Sequence, residues 1–385
     1  MLNPVLDADM AGALIAPDAG QQRAHGGPRV LVLCQYARGT SPGQRFRYEQ
    51  YLEFLASQGV CVDDVPFFDL APSALHRQGE VFRKCAMVLS AFSARVKLAR
   101  RFKQYDRIFI FREAAPLGPP LIEWLAIRSG VPVVYDLDDA VFIAQTAASN
   151  RFVKWLKFPG RASYVARYAE RVCVCNRFLE NWALEHNPNV LILPTSIDLE
   201  YHRGTRDRSA HSGVPVVGWT GSQTTAVYLD LVRPALKLLQ DDFDFEFRVI
   251  CDVDPGFPEL RNYRFVKWRR ETEIADLDQL DIGIMPVPEG TWEMGKVGFK
   301  AIQYGAMEIP PVVSVTGSGP EVVDDGVTGL VVANTTEAWA LALRRLLSSP
   351  DQAAAMGRAA RIRVAASYST AAQRHNYMRV FKGLN

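Results

Sequence analysis

The chain has 385 residues, 48% of them hydrophobic and 22% charged, with a formal net charge of +2. That length exceeds one ordinary core and suits two domains, and the composition is that of a folded chain with enough charge to stay in solution. The near-neutral balance argues against a nucleic-acid binder driven by bulk charge, and six cysteines in so long a chain do not make a disulfide framework.

Residues 1–28 are rich in Ala, Gly, Asp and Gln without a sustained period and read as a disordered lead-in. They lack the basic start of a signal peptide, and no apolar run approaches a membrane span, so a cytoplasmic chain is expected. "RVLVLCQ" (29–35) then reads as a strand, "GTSPG" as a break, and "QRFRYEQYLEFLASQG" as a helix with Phe46, Tyr51, Leu52 and Leu55 on one face. The cycle recurs through "VCVDDVPFF", a long helical pattern from about Leu75 to Tyr105, "RIFIF", "PPLIEWLAIRSG", "VPVVYDL", "ASYVARYAE", "RVCVCN" and "NVLILPT". Apolar strand-length runs alternating with amphipathic helices predict a parallel sheet covered on both faces, here over 29–198. Within "RVCVCN", period-two geometry puts Cys173 and Cys175 on one face of a strand, as buried thiols, because no second Cys or His pair lies nearby.

"LEYHRGTRDRSAHSG" is polar and aperiodic and reads as a linker. Over 213–368 the alternation restarts, with "VPVVGW", "DFEFRVI", "YRFVKW", "DIGIMPV", "PPVVSV" and "TGLVVA" as strands and helices over 225–240, 271–280, 296–307 and 335–348. The expected fold class is therefore α/β, with two Rossmann-like doubly wound domains whose strand ends face a common cleft.

Neither G-x-G-x-x-G after a first strand nor G-x-x-x-x-G-K-[ST] occurs, so phosphate recognition must use other glycine-bearing turns. "GTSPGQRFR" offers Gly39 and Ser41 beside Arg45 and Arg47, and "GWTGSQTT" offers Gly221 and Ser222; an ordinary turn explains either loop equally well. If Lys296 opens a helix, Lys296, Lys300 and Gln303 share one face able to grip a diphosphate and a ribose. Two lysines at a helix start oppose its dipole, a cost that a docked anion relieves. "VYDLDDAVF" crowds Asp136, Asp138 and Asp139, which could hold a divalent ion or could work without one. Strand geometry puts Asp136 on the face of Asp138 but deeper, and Asp139 is suited to capping the next segment. Arg112 and Glu113, at the end of "RIFIF", are expected to pair with each other.

The run "GKVGFKAIQYGAMEIPPVVSVTGSGPEVVDDGVTGLVV" resembles the donor-binding segment of the family 4 retaining glycosyltransferases of GT-B fold. The resemblance continues through "SPGQRFRYEQYLEFL", "FREAAPLGPPLIEW", "VYDLDDAVF", "NPNVLILPTSID" and "GWTGSQTTAVYL", from Arg29 to Phe381. It implies a nucleotide-diphosphate sugar as donor, with uridine favoured over guanosine, held mainly by the second domain. The acceptor, a sugar, lipid-linked or small-molecule hydroxyl, would lie on the first, with no cofactor, metal or nucleic acid. It also implies that a final helix within 369–385 packs back on the first domain. Residue by residue, it makes Lys296 and Lys300 the stabilisers of the leaving diphosphate, and aligns Asp138 with a position where many members carry an active-site histidine. Donor contacts would fall on Gly39, Ser41, Gly221, Ser222, Trp268, Glu293, Gly295 and Gln303, and acceptor-side contacts on Arg45, Arg112, Glu113 and Asp139. The family's two glutamates, seven residues apart, fall near Gly295 and on Gln303; Glu293 could supply the missing carboxylate from a shifted loop. Trp219 stands where a basic residue is common. Two basic stretches, 93–103 and 151–171, read as solvated helices or as contacts for anionic lipid at the inner face of a membrane. The competing readings are a non-catalytic nucleotide-sugar-binding partner, and an epimerase or phosphorylase of the same fold.

Overall fold

The structure is a computed structural model that describes residues 26–69, 81–116, 118–143, 158, 160–208 and 213–384. The lead-in thus falls outside the described residues except at its end, as do 75–80 of the long helical pattern, 151–157 and 159 of the second basic stretch, and 209–212 of the linker.

Every strand expected from the sequence is present. The first sheet holds β1 (Arg29–Tyr36), β2 (Cys61–Phe68), β3 (Arg107–Phe111), β4 (Val133–Leu137), β5 (Arg171–Val174) and β6 (Val190–Ile192), in the order β2-β1-β3-β4-β5-β6. The second holds β7 (Val216–Thr220), β8 (Glu246–Cys251), β9 (Tyr263–Lys267), β10 (Ile282–Met285), β11 (Pro311–Ser314) and β12 (Leu330–Val332), in the order β12-β11-β10-β7-β8-β9. All pairings are parallel. Strands such as β3 and β4 are buried along their whole length because helices cover both faces. Strand order reverses between β1 and β3 and between β7 and β10, which places a ligand-accepting crevice at the carboxyl ends of those four strands.

Three expectations need correction. The helix expected from Gln44 onward is broken into Pro42–Arg45, a 3-10 turn at Glu49–Tyr51 and Leu52–Ser57. Side chains pin the break to the preceding loop: Gln44 accepts from the Tyr36 N–H at 3.0 Å, and Glu49 accepts from the Gly39 N–H at 2.8 Å. Cys173 and Cys175 are both buried but pack in different clusters, because β5 ends at Val174 and the chain turns before Cys175. The described part of the linker is a docked strap: the amides of Thr205 and Arg206 and the Arg208 guanidinium all converge on Asp278, at 2.8, 3.1 and 3.0 Å.

The last helix, Thr370–Lys382, leaves the second domain and lies on the first. Tyr377, Val380 and Phe381 are buried in the first domain's core, with Tyr377 stacked on Tyr51 at 3.9 Å and Phe381 on Phe109 at 4.9 Å.

Candidate active site

The wall formed by the first domain is built on the three aspartates. Asp136, at the end of β4, is fully buried and binds the equally buried Arg47 through both carboxylate oxygens. Asp138 is 5% exposed and takes both of its contacts from Arg112, through Nε and through Nη2 at 2.8 Å. Burial works to raise the Asp138 pKa, but the Arg112 guanidinium overrides it and holds the carboxylate below its ordinary range. Arg112 adopts φ 57, a left-handed conformation that costs a non-glycine residue about 1–3 kcal/mol, and so turns its side chain back toward Asp138. Arg112 does not pair with Glu113, as adjacency in sequence suggests. Instead Glu113 takes Arg161 at 3.2 Å and the Gln35 amide at 2.8 Å, because the left-handed backbone at Arg112, just past the strand end, sends the two side chains apart. Asp139 accepts from the Ala140 N–H at 3.0 Å and lies 3.6 Å from Lys296 Nζ of the second domain. Each of the three acids therefore has its own cation, Arg47, Arg112 or Lys296.

Across the cleft, Lys300 is the central cation. It is half-buried in the helix Phe299–Ala306, its ammonium 5.3 Å from the ring centre of the buried Trp219, and among the described residues no carboxylate pairs with it. Burial, with Lys296 nearby, lowers its pKa to about 8. Gly221 is required by packing. A Cβ there would lie 2.5 Å from the Trp219 ring and 3.1 Å from Lys300 Cε, and the Gly221 N–H is already committed to Ile250 O at 3.1 Å. Ser222 stands at the N-cap of the short helix that follows, but its hydroxyl makes no capping bond and lies 2.8 Å from that of Thr224. Trp268 follows β9, 37% exposed, and its N–H donates to Cys251 O at 2.8 Å. The helix does not begin at Lys296: Gly298 is its N-cap, and Lys296 sits in the preceding turn, where its carbonyl accepts from the Ser318 hydroxyl at 2.7 Å. Lys296 and Lys300 thus come together from different segments. Gln303 is buried and donates to Glu273 at 3.1 Å, and Glu273 in turn lies 3.7 Å from Arg45 of the first domain. A carboxylate, that of Glu273, thus lies directly beside Gln303.

The segment 291–297, which opens with the short helix Thr291–Met294, crosses the cleft. Trp292 and Val297 pack against the first domain's core cluster, and Asn176 of the first domain donates to Met294 O at 3.2 Å and to Ser318 Oγ at 2.7 Å. Gly295 is a point of close approach: a Cβ there would be 2.6 Å from Ala140 Cβ and 3.0 Å from its backbone nitrogen. A glutamate cannot occupy 295 in this arrangement. Glu293 projects its carboxylate over Gly290, where a side chain would collide with it, and accepts from the Tyr228 hydroxyl at 3.1 Å. Burial, then the Glu293 contact, raises the Tyr228 pKa to about 12, so the phenol stays protonated and donates. On the expectation from the resemblance that Glu293 meets the donor, Tyr228→Phe should weaken binding of a nucleotide sugar about tenfold by releasing Glu293, the loss of one hydrogen bond to a charged group; calorimetry checks it, and unchanged affinity would remove Tyr228 from the site.

Sequence reasoning did not single out Tyr228, Glu273 or Asn176. Only the loop position of Asn176, directly after β5 and before the helix Arg177–Leu184 that it caps through Leu179 N at 2.9 Å, offered a signal. Among the described residues no group of three His, Cys, Asp or Glu side chains is placed to hold a metal, and no helix is long and apolar enough to cross a membrane.

Residues 214–349 match the family model described as glycosyl transferases group 1. A search of curated protein sequences finds no match. Among solved structures, the chain is similar to a glycosyltransferase from Rickettsia africae (TM-score 0.68, 15% identity, 94% of this chain and 99% of that one). It is also similar to sucrose-phosphate synthase from Thermosynechococcus elongatus (0.64, 17%, 93% and 99%) and to Anabaena HepE solved with UDP and glucose (0.63, 12%, 93% and 100%). The fold is thus GT-B, and its second domain carries the match to the group 1 glycosyltransferases.

Proposed function

We propose that the protein is a retaining glycosyltransferase that moves a sugar, most simply a hexose, from a nucleotide-diphosphate sugar to an acceptor hydroxyl. The observation that carries this reading is Lys300: a half-buried ammonium that pairs with no carboxylate among the described residues, held over Trp219 at the end of a strand of the matched domain, with Lys296 of the same domain reaching across to Asp139 of the first at 3.6 Å. In that reading Lys300 and Lys296 take up the charge that develops on the leaving diphosphate, an electrostatic contribution that is large in a site shielded from water. A diphosphate oxygen accepts the acceptor's proton, so no strong protein base is needed. Glu293, held by Tyr228 and Gly290, meets the donor sugar, and Gln303 with Glu273 meets the ribose. UDP-sugars are favoured because HepE, of the same fold, was solved with UDP and glucose.

Arg112, oriented by Asp138, forms the acceptor side with Arg45, Glu113 and Asp139. No metal is required, since Asp136, Asp138 and Asp139 are each satisfied by a protein cation. Thermal shift against a panel of nucleotide diphosphates and their sugars tests the donor, because a ligand that binds only the folded state raises the melting temperature. A transfer assay with and without chelator tests the chemistry. The expected result is stabilisation by one nucleotide series and chelator-insensitive transfer with retained anomeric configuration. Activity abolished by chelator and restored by a divalent ion would return the aspartates to a metal role. Binding without transfer to any acceptor would favour a non-catalytic partner; release dependent on phosphate, or epimerisation of the donor alone, would make it a phosphorylase or an epimerase.

A further inference from the structure

On the face of the first sheet away from the last helix, the helices Val81–Ala99, Leu121–Arg128 and Arg161–Tyr168 lie side by side. Between them they contain a single acidic residue, Glu123, and it is buried. Their exposed positions follow the helical repeat. Lys97 and Arg100 lie on the first outer stripe, Leu121, Trp124 and Arg128 on the second, and Arg167 and Tyr168 on the third beside Tyr164.

Large apolar and aromatic side chains are left in solvent here: Trp124 is 43% exposed and Tyr168 55%. They are linked rather than scattered. Arg128 lies over the Trp124 ring at 5.7 Å, its charge also reaches Tyr164, and Tyr164 packs on Tyr168 at 5.1 Å. Among the described residues, Lys97, Arg100, Arg128 and Arg167 enter no ion pair. The acids bordering the patch are already engaged: Asp106 by the Arg29 N–H at 2.8 Å, and Glu170 by Arg107 at 2.5 Å.

Trp and Tyr combine an apolar body with a polar tip, and arginine can bury its stem while its charge stays at a phosphate-rich boundary. On a face with spread cations, whose three helices carry no exposed acid and whose bordering acids Asp106 and Glu170 are already engaged, that combination matches an anionic bilayer surface, with headgroup phosphates meeting the arginines and rings seated at the interface. We propose that this face docks the protein on anionic lipid through Trp124, Tyr168, Arg128 and Arg167. The helix Leu121–Arg128 starts just after the strand end that carries Arg112, so docking would bring the acceptor side of the cleft close to the bilayer. That consequence, a lipid-borne acceptor, rests on the transfer reading; the docking itself does not.

The test is co-sedimentation of the full chain with vesicles of equal phosphatidylcholine and phosphatidylglycerol, and with phosphatidylcholine alone. Binding is expected to the mixed vesicles only and to be released by high salt. Each cation near an anionic leaflet changes partitioning about fivefold, so Arg128→Glu with Arg167→Glu should lower it by more than about 25-fold. Trp124→Ser with Tyr168→Ser should lower it about tenfold by removing apolar contact. Melting curves confirm that both variants fold, and because the two act through different chemistry, either alone can decide. Equal binding to both vesicle types, binding to neither, or undiminished binding by the folded variants would overturn the proposal. Self-association that disappears in the Trp124 and Tyr168 variant would overturn it in favour of a protein partner. Because the assay measures lipid binding without turnover, its outcome and that of the transfer assay are independent.

Discussion

Lys300→Ala is expected to lower kcat by about 10²–10³, or about 2.7–4 kcal/mol, the scale on which one preorganised charge stabilises a transition state. Lys300→Met keeps much of the contact with Trp219 and removes only the charge, so it should lose nearly as much; if it retains turnover, Lys300 is a packing residue and the site is misassigned. Lys296→Ala should cost less, because Lys296 is 29% exposed and already shares its charge with Asp139 at 3.6 Å. The pH dependence separates these roles further. Only the ammonium form stabilises the diphosphate, so turnover should fall as pH rises through about 8, the Lys300 pKa, with the fall moved upward once an anionic donor is bound. Stability moves the other way. Between about 8 and the ordinary lysine value of 10.5, the unfolded chain keeps a proton that the folded chain has released, so the unliganded protein gains stability across that window. Below it, charged Lys300 works against the fold, and an anion docked in the cleft offsets the cost. Lys300→Met should flatten the window.

Asp136→Ala is expected to destabilise the first domain by about 3–5 kcal/mol, because it leaves the fully buried Arg47 without its partner. At roughly 2–4 °C per kcal/mol for a domain of this size, melting should fall by about 6–20 °C. Asp139→Ala removes a more exposed acid 3.6 Å from its cation and should cost under about 1 kcal/mol. Calorimetric melting of the two variants side by side checks the contrast, and a mild effect of Asp136→Ala would show that Arg47 is held by other contacts, such as its bond to Leu193 O. A paired change, Arg47→Met with Asp136→Leu, should recover much of the loss, since apolar replacements of a buried ion pair are often neutral.

The strands were legible because each is an apolar run bounded by turn residues, and the alternation with helices dictated the parallel order. The crevice at the reversal points followed from that order alone. What was not legible involves pairs far apart in sequence or a local turn. Arg47 and Asp136 are 89 residues apart, and no local pattern marks Asp136 as structural while its neighbour two positions on meets an arginine just past the end of another strand. Helical spacing placed Lys296 and Lys300 on one helix, yet Val297 is drawn into the other domain's core and Gly298 starts the helix anew. Adjacency paired Arg112 with Glu113; the positive φ of Arg112, invisible in sequence, sends them apart. The missing glutamates illustrate both limits. Gln303 lies beside the carboxylate of Glu273, thirty residues away, and Gly295 is explained by contact with Ala140 across the cleft.

The return of the helix Thr370–Lys382 to the first domain means that the chain has two domains but no severable halves. A fragment stopping near residue 198 would leave Tyr51 and Phe109 without Tyr377 and Phe381, an open apolar face prone to aggregate. A fragment starting near 213 would carry those same rings as a loose amphipathic tail. Swapping donor specificity by grafting a second domain from another protein would therefore have to stop before Ser369 and keep this chain's own final helix.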